Sequence, residues 1–467
     1  MTKASGARAF RRLGAALAAV VFVPGIAWAQ AAAGATGAVG VTGATGAMGD
    51  PAKSMTLDQV VAAAQQASPA VVQGQGAVRS AAAGERAAVG AFLPSVSVST
   101  GASLAGNGLI GRTTTGLPAD ATVVAPQTTT SYSAGLSASM DVFDGGKRSA
   151  DLARARAQSA QADAGLLQQQ NVAVLDARND FFDVLRQGEL VKAAQAEAQR
   201  AGEALSAAQD RLKAGAATRS DVLRAQLALT QAQQALSQAQ SARSTATYTL
   251  GRAVGYDGPV SPVAPGSLDP RPLALTASQL DSLVTLQAPA VHAAEAAVRA
   301  SSASVGAARS QYLPQLSVRG GYDWATSNAG TATLGGGHDN WSLSANVTLP
   351  VFDGFQRDQA VTQANAAADA ARATLDDARR GQRVELQKDL AALDNAQNQI
   401  RLGQQGVASA QEDLRVQQER YRLGAATMLD LITSQAALTQ AEQGLVNARF
   451  DYQTARAQLE ALAGRTL

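Results

Sequence analysis

The chain has 467 residues, of which 46% are hydrophobic and only 4% aromatic, so it is long enough to fold but is not expected to build a large aromatic core. Its 39 basic residues nearly balance its 37 acidic residues, which argues against nucleic acid as a partner. The absence of cysteine excludes disulfides, thiolate metal sites and an acylated N-terminal cysteine.

The first 29 residues have the pattern of a cleaved secretory signal. Basic residues precede an apolar run that ends in the small-residue pattern Ala27-Trp28-Ala29. Residues 30–54 follow as a spacer, in which glycine recurs at every third position over 34–49. Collagen has this period, but the tract lacks the proline that favours a triple helix, so we interpret it as a flexible, disordered spacer. Beyond residue 29 no run of 18 apolar residues occurs, so a membrane-inserted mature protein would have to use strands.

Most of the sequence after residue 54 occurs in two similar copies. The segment KAGAATRSDVL at 213–223 returns as RLGAATMLDLI at 422–432, which is 209 positions later. The segment DVFDGGKR at 141–148 returns as PVFDGFQR at 350–357, with the same offset of 209. Two matches at one offset indicate an internal duplication.

The duplication extends upstream with a larger offset. SPAVVQGQGAVRS, which begins at Ser68, and FLPSVSV, which begins at Phe92, return as APAVHAAEAAVRA and YLPQLSV 220 positions later. We therefore predict a first structural repeat at 55–254 and a second at 277–467. The linker between them, 255–276, contains five prolines, which exclude a long helix.

Each repeat is predicted to begin with a helix, at 57–91 in the first copy, and to continue with two strands. The strands alternate apolar and small polar residues, which is the period of a β-strand, and are predicted at 94–104, 131–142, 314–325 and 340–351. This pattern suits either a half-buried soluble sheet or a lipid-facing barrel with a wet lumen, and it does not distinguish them. Four strands cannot close a barrel, so the free edges predict oligomerisation, with eight strands from two chains or twelve from three.

Unusually long helices follow the strands in both copies, at 147–214 and 356–423. At 1.5 Å per residue each would be roughly 100 Å long. In the second of them, residues spaced alternately by three and four form a coiled-coil seam, in which alanine and glycine allow close helix approach: Leu393, Ala396, Ile400, Gly403, Val407, Ala410, Leu414, Gln417 and Tyr421. Returning helices are predicted at 219–252 and 428–463, so each copy ends in an antiparallel hairpin.

The tip of each predicted hairpin carries the sequence Gly-Ala-Ala-Thr-x-x-Asp. Gly215 and Gly424 are expected to adopt the left-handed conformation that ends a helix. The threonine three residues later is expected to cap the next helix, with Asp221 or Asp430 in capping-box position. Local capping is therefore one role for both aspartates, and a role in a pore is compatible with it.

The order and spacing of these features resemble the TolC-type outer-membrane channel family from about residue 55 to the C-terminus. The resemblance implies a mainly α fold with β, in which long antiparallel coiled-coil hairpins and four strands per chain assemble as a homotrimer. The trimer would build a 12-stranded β-barrel in outer-membrane lipid and a helical barrel in the periplasm. The implied function is a passive exit duct for a tripartite efflux pump or a type I protein secretion system. Its implied partners are a periplasmic adaptor, or membrane fusion protein, and an inner-membrane pump of RND or ABC type.

The resemblance also assigns roles to tip residues. Adaptor contact and a closed entrance fall to the tips, which are Gly215, Ala216, Ala217 and Thr218 in the first copy and Gly424, Ala425, Ala426 and Thr427 in the second. Asp221, Tyr421 and Asp430 fall on positions that form the constricting network of well-known members. The chain departs from that pattern at Ala426, in place of a gating arginine, and at Thr433, in place of a second acidic ring. These departures leave Lys213, Arg219 or Arg422 to replace the arginine.

An alternative function is a secreted coiled-coil adhesin or structural scaffold, which the Gly-x-y tract and the long helices favour. An enzyme is not expected, because the sequence contains no recognisable nucleophile-base pair, phosphate loop or metal cluster. The two histidines, His292 and His338, are expected on a helix surface and in a loop, and we expect no cofactor and no bound metal.

Overall fold

The computed structural model describes residues 52–106, 128–264, 270, 275–329 and 336–464. The predicted signal, residues 1–29, and all but the last three residues of the predicted spacer, 30–54, lie outside the described residues.

The described elements follow the same order in both halves of the chain. The helices of the first half are α1 (Leu57–Ala67), α2 (Pro69–Gly90), α3 (Lys147–Lys213) and α4 (Arg219–Ala253), and its strands are β1 (Lys53–Met55), β2 (Ser95–Gly106) and β3 (Thr128–Phe143). The helices of the second half are α5 (Ala277–Gln287), α6 (Pro289–Arg309), α7 (Gln356–Arg422) and α8 (Met428–Ala463), and its strands are β4 (Val260–Pro262), β5 (Gln315–Ala329) and β6 (His338–Thr348). The fold class, a mainly helical protein with long antiparallel hairpins and a four-stranded sheet, is confirmed.

The continuous helix predicted at 57–91 is wrong, because the chain breaks between α1 and α2. Ser68 has an extended backbone (φ −62°, ψ 121°) and Pro69 occupies the first turn of α2. Proline fits a first turn but cannot continue a helix, and it disfavours helical geometry in the residue before it. The second half repeats this break at Ala288 and Pro289.

The bounds of the strand predicted at 340–351 and of the spacer predicted at 30–54 also need correction. β6 runs from His338 to Thr348 rather than over 340–351, because Pro350 has no amide hydrogen with which to extend the ladder. His338 therefore lies in a strand and not in a loop. An additional strand, β1, pairs in parallel with β4 of the linker, with Lys53 opposite Val260. Residues 53 and 54, assigned to the spacer, thus belong to a strand.

The four long strands form one antiparallel sheet in the order β2-β3-β5-β6. Its register places one apolar row across all four strands, with Val98 opposite Leu136, Leu136 opposite Tyr322, and Tyr322 opposite Trp341. The neighbouring row points to the other face and consists of Ser97, Ser137, Gly321 and Ser342. The sheet thus has one apolar and one small-polar face. Val98 and Trp341 are 67% and 75% exposed, so the apolar face is uncovered in the single chain.

The junctions between sheet and long helices use one arrangement twice. The Asp144 carboxylate accepts hydrogen bonds from the backbone N–H (2.8 Å) and the Nε (3.0 Å) of Arg148, whose guanidinium carbon lies 5.0 Å from the Phe92 ring centroid. The second copy has the same three contacts, at 3.1, 2.8 and 4.8 Å, between Asp353, Arg357 and Tyr312. Each long helix therefore leaves the sheet through an equivalent anchored turn.

The long helices pack as two hairpins, α3 with α4 and α7 with α8, and α3 also packs against α8. The residues of the predicted seam are buried or half-buried, and a Cβ added at Gly403 would lie 3.4 Å from Leu445, so glycine permits the close approach of α7 to α8. None of the described helices has the combination of length and apolar character required to cross a lipid bilayer.

Candidate functional site at the hairpin tips

The tips of the two hairpins end their long helices in the same way. Gly215 (φ 71°) donates its N–H to the Leu212 carbonyl (3.0 Å), and Ala216 donates to the Arg211 carbonyl (2.7 Å). This pair of bonds is a Schellman motif, which satisfies carbonyls left free at a helix end. The second tip repeats the motif, with φ 77° at Gly424 and bonds of 3.1 and 2.7 Å to Tyr421 and Arg420. The prediction of left-handed glycine at both positions is confirmed.

Each returning helix begins with a reciprocal capping box, which is also confirmed. The Thr218 N–H donates to Asp221 Oδ2 (3.0 Å), and the Asp221 N–H donates to Thr218 Oγ1 (3.2 Å). The corresponding bonds between Thr427 and Asp430 are 2.9 and 3.2 Å. Two N–H groups at each helix start are thereby satisfied.

The capping bonds also keep the two aspartates ionised. Hydrogen bonds from the Thr218 side chain and backbone lower the pKa of Asp221, and Arg224 and Arg211 lower it further. Hydrogen bonds from the Thr427 backbone and side chain lower the pKa of Asp430, with a contribution from Arg420. Hydrogen bonding to the charged form of a carboxylate favours that form. Both aspartates therefore carry a negative charge at neutral pH.

Arg211, which the sequence analysis did not single out, connects the two tips. Its guanidinium carbon lies 4.5 Å from the centroid of the Tyr421 ring, and its Nη1 donates to the Tyr421 carbonyl. Its Nη2 donates to the Ala216 carbonyl of its own tip (3.3 Å). Arg420, the equivalent residue of the second copy, makes the corresponding bond to Ala425 (3.2 Å) but has no described contact with the other hairpin. The sequence contains a signal for this role, because Arg211 and Arg420 are arginines at equivalent positions of the two copies.

Tyr421 lies in an apolar cluster between the hairpins. This tip cluster consists of Ala204, Leu205, Ala208, Ala225, Leu414, Tyr421, Met428, Leu431 and Leu438. Burial raises the pKa of the Tyr421 hydroxyl, and the nearby Asp221 carboxylate raises it further, whereas Arg211 lowers it. The hydroxyl is buried and has no hydrogen-bond partner among the described residues. Tyr421 and Asp221 are thus brought together electrostatically without a direct hydrogen bond.

The positions that depart from the family pattern have local roles here. Ala426 is half-buried and packs against the tip cluster. Thr433 is exposed, and its hydroxyl donates to the Leu429 carbonyl of its own helix (2.8 Å). Of the three proposed replacements for the arginine, Lys213 is paired with Asp210 (3.0 Å) and Arg422 with Glu419 (3.6 Å).

Between the tips and the sheet, charged residues join α3 to α8. Arg200 Nη2 lies 3.1 Å from Glu442 Oε2 and donates to the Thr439 hydroxyl (3.1 Å). Closer to the sheet, Arg178 forms an ion pair with Glu460. These side chains are mostly buried, so the pairs are shielded from water and hold the two hairpins of one chain together.

The two histidines lie apart from the tips. His292 is on α6, with Nδ1 3.8 Å from Glu295 Oε2, and His338 begins β6. In the part of the chain that the structure describes, no three His, Cys, Asp or Glu residues are placed to hold a metal ion.

Comparison with known proteins finds one family model, described as outer membrane efflux protein, which matches residues 60–256 and 281–465. The two matched segments correspond to the two repeats and exclude most of the linker.

Individual proteins resemble the chain at lower identity. Protein CyaE of Bordetella pertussis is 29% identical over 321 residues, which are 67% of this chain and 63% of that protein, so the match spans less than two thirds of its length. The outer membrane protein TolC of Vibrio cholerae is 24% identical over 341 residues, which are 70% of this chain and 75% of that protein. The crystal structure of the Campylobacter jejuni CmeC outer membrane channel superimposes with a TM-score of 0.73 at 18% identity, covering 87% of this chain and 85% of that one.

Proposed function

The chain belongs to the outer membrane efflux protein family, and we propose that it is the passive outer-membrane exit duct of a tripartite efflux pump or a type I secretion system. In this proposal it performs no chemistry. Three copies assemble, an inner-membrane pump drives transport, and a periplasmic adaptor opens the helical tips.

The observation that carries this proposal is the sheet, which has two unpaired edges and one uncovered apolar face. The described residues provide no strand to pair with β2 or β6 on their outer sides. Unpaired strand edges are not tolerated in hydrocarbon, where every backbone polar group needs a partner, so a membrane location requires closure with further copies. Three copies supply twelve strands with the apolar rows towards lipid and the serine rows towards a wet lumen.

The tips supply the proposed entrance of the duct. Asp221 and Asp430 are ionised and lie at the ends of the long helices, and Tyr421 lies beside Asp221. We assign these three residues to the constriction at the periplasmic end. Their charges favour cations there, because fixed carboxylates in a narrow opening concentrate ions of opposite sign.

We assign adaptor contact to the tips, residues 215–218 and 424–427. The flanking Leu423 and Leu429 are 81% and 57% exposed, which leaves apolar surface for a partner. Exposed apolar side chains next to polar turns are typical of protein contact sites.

A secreted coiled-coil scaffold is the competing function, and one preparation separates the two. The full-length protein, with residues 1–29, is expressed in a bacterium with an outer membrane. The membranes are fractionated, and the mass of the detergent-extracted protein is measured by light scattering. We expect retention in the outer membrane and a mass of three chains. A protein found in the periplasm or the medium as a monomer would contradict the exit duct and favour the scaffold.

A further inference from the structure

The start of α7 carries an open groove beside the sheet. Its walls, on the first turns of the helix, include Gly354, Phe355, Asp358 and Gln359. The equivalent residues of α3 lie 209 positions earlier. α3 packs against both α2 and α6, whereas α7 packs against α6 and has no comparable contact with α2 among the described residues. The groove is therefore a surface that α3 covers with a helix of its own chain and that α7 leaves uncovered.

The contact of α3 with α6 shows how such a surface is covered. A Cβ added at Gly306 of α6 would lie 3.5 Å from the Ala150 Cβ of α3. A Cβ added at Gly145 would lie 2.6 Å from the Ser310 carbonyl oxygen and 2.8 Å from the Leu313 Cβ. The start of α3 and the end of α6 thus approach closely, in one register.

The two offsets of the duplication transfer this register to a second copy of the chain. Residues of α3 have equivalents 209 positions later on α7, and residues of α6 have equivalents 220 positions earlier on α2. The contact of Ala150 with Gly306 therefore corresponds to a contact of Gln359 in one copy with Arg86 in another. This step rests on the proposed function, which supplies the second copy.

The same transfer brings two uncovered backbone segments together. Gly354 of one copy faces Gly90 and Leu93 of the other. In the single chain an added Cβ would meet no atom within 4 Å at either glycine, and Leu93 is 67% exposed. Both segments are thus free to make the close approach that the α3–α6 contact makes within the chain.

Unpaired charges of opposite sign lie on the two surfaces. Arg86 is exposed on α2 and Asp358 is exposed in the groove, and neither side chain forms a hydrogen bond or ion pair with a described residue. Glu85, the neighbour of Arg86, already pairs with Arg156 of its own chain (3.2 Å). Because Asp358 adjoins the residue that Arg86 faces in the transferred register, the long arginine side chain reaches its carboxylate.

The other exposed arginine on this part of α2 has different surroundings. Arg79 lies about 10 Å from Arg86 along the helix and stands opposite Ala366 in the transferred register. The nearest acidic residue beyond Ala366 on α7 is Asp369, which pairs with Arg372 within the chain (2.7 Å). We therefore assign the ion pair to Arg86 alone.

Phe355 is an independent indication that the groove is covered. Its φ is 69°, and it is the one residue other than glycine with a left-handed backbone in the part of the chain that the structure describes. This conformation strains an L-residue, whereas the equivalent Gly146 adopts it freely. The Phe355 ring is 73% exposed, and Val89, which adjoins the transferred contact, is 47% exposed. Packing of one on the other removes both side chains from water and offsets the strain.

We propose that the groove at the start of α7 is the docking site for the C-terminal part of α2 from a second copy. Arg86 of that copy pairs with Asp358, and its Val89 packs on Phe355. Each chain thereby holds one helix of its neighbour directly below the sheet.

Disulfide formation tests the register, because the chain contains no cysteine of its own. The double variant Arg86→Cys, Gln359→Cys is extracted from the membrane, oxidised and run on a denaturing gel without reductant. We expect covalent dimers and trimers. The matched control is Ala150→Cys with Gly306→Cys, whose Cβ separation of 3.5 Å suits a disulfide within one chain, so it is expected to run as a monomer. Arg86→Cys with Ala366→Cys, which lies about 10 Å further along α7, is expected to form no disulfide.

Two outcomes of this experiment would contradict the proposal. One is a wild-type trimer in which positions 86 and 359 form no disulfide between chains. The other is a disulfide through position 366 instead, which would show a different register. A monomeric wild-type protein would instead contradict the proposed function, and this docking site with it.

A charge exchange tests the ion pair. Asp358→Arg places two cations together, and we expect the dissociation rate of the detergent-extracted trimer to rise at least about fivefold, the factor that corresponds to about 1 kcal/mol. Adding Arg86→Glu restores an opposite-charge pair and should return the rate to within about twofold of wild type. The control Arg299→Glu reverses an exposed arginine on α6, which packs within its own chain, and should leave the rate unchanged. No rescue in the double variant would contradict the pairing of Arg86 with Asp358.

Phe355→Gly separates backbone strain from the contact with Val89. Glycine relieves the strain, so a ring without a partner predicts a trimer at least as stable as wild type. We expect the opposite, a faster dissociation of the trimer, because the contact between chains is lost. Unchanged or slower dissociation would contradict the docking of α2 on Phe355.

Discussion

Arg211 and Tyr421 join the tips of the two hairpins, with the guanidinium carbon 4.5 Å from the ring centroid and a hydrogen bond to the Tyr421 carbonyl. The two residues are separated by 210 positions in the sequence. Because Arg211 also bonds to Ala216 of its own tip, it couples the end of α3 to the end of α7. Stacking of a guanidinium on an aromatic ring adds about 0.5 to 2 kcal/mol to such a contact.

Replacing Arg211 with glutamine is expected to loosen this coupling and to increase single-channel conductance, because the tip of the second hairpin loses the contact of Tyr421 with Arg211. The matched control is Arg420→Gln, which removes the equivalent tip bond of 3.2 Å and no described contact between hairpins. We expect the control to retain wild-type conductance. Equal effects of the two substitutions would show that Arg211 acts only on its own tip.

Removing either capping threonine is expected to destabilise the protein. Thr218→Ala or Thr427→Ala deletes the side chain that accepts the Asp221 or Asp430 N–H, and loss of such a cap typically lowers the free energy of unfolding by about 1 kcal/mol. Urea unfolding of the extracted protein measures the change. Thr374→Ala is the control, since this mid-helix hydroxyl only donates to the Ala370 carbonyl (2.9 Å); it should be neutral or slightly stabilising, because alanine is the better helix former. If Thr374→Ala lowered the free energy of unfolding as much as Thr218→Ala or Thr427→Ala, the assigned capping role would be contradicted.

Asp389 predicts a pH dependence of stability. This side chain is 4% exposed on α7, and burial together with the Glu385 charge raises its pKa to about 6. Because the folded protein binds this proton more tightly than the unfolded chain, the stabilisation is complete below the unfolded pKa of about 3.9 and is lost as pH rises through about 6. Asp389→Asn is expected to increase stability at pH 7 and to remove the fall in unfolding free energy that the wild-type protein shows as pH rises from about 4 to about 6. The exposed Asp369→Asn should leave that slope unchanged, and an unaltered slope in Asp389→Asn would contradict the assignment.

The two faces of the sheet predict opposite responses to a charge. Leu343 and Ser342 are neighbours on β6, and only Leu343 lies on the apolar face. Leu343→Arg is expected to reduce the yield of outer-membrane trimer, since an arginine on a lipid-facing strand costs up to about 2 to 4 kcal/mol. Ser342→Arg lies on the serine face, which faces the lumen of the proposed trimer, and should assemble normally, with altered ion selectivity. Membrane yield and light scattering measure assembly. Normal assembly of the Leu343 variant would contradict the lipid-facing assignment.

The sequence predicted best those features that depend on near neighbours. The left-handed glycines and the capping boxes could be predicted from spacing alone, because their hydrogen bonds join residues at most five positions apart. The structure confirms both. The alanine and glutamine content of 57–91 favours a helix throughout and does not locate the break at Pro69. A local rule does locate it, because proline disfavours helical geometry in the residue before it, here Ser68.

Contacts between distant parts of the chain were not predictable from spacing. The parallel pairing of β1 with β4 joins residues on either side of the whole first repeat, and only three residues of each strand take part, too few for a period-two pattern. The Arg211 contact with Tyr421 depends on the relative placement of two hairpins, which a single sequence does not specify. The gating roles of Asp221, Tyr421 and Asp430 remain predictions of the resemblance and of the electrostatics of the tips.

The most direct test of the exit duct is planar lipid-bilayer recording of the purified mature protein. We expect discrete, long-lived conductance steps with cation preference, and a loss of that preference in the Asp221→Ala, Asp430→Ala double variant, because these carboxylates supply negative charge at the proposed entrance. Trimeric protein that inserts but produces no conductance steps, or steps with no preference for cations, would contradict it.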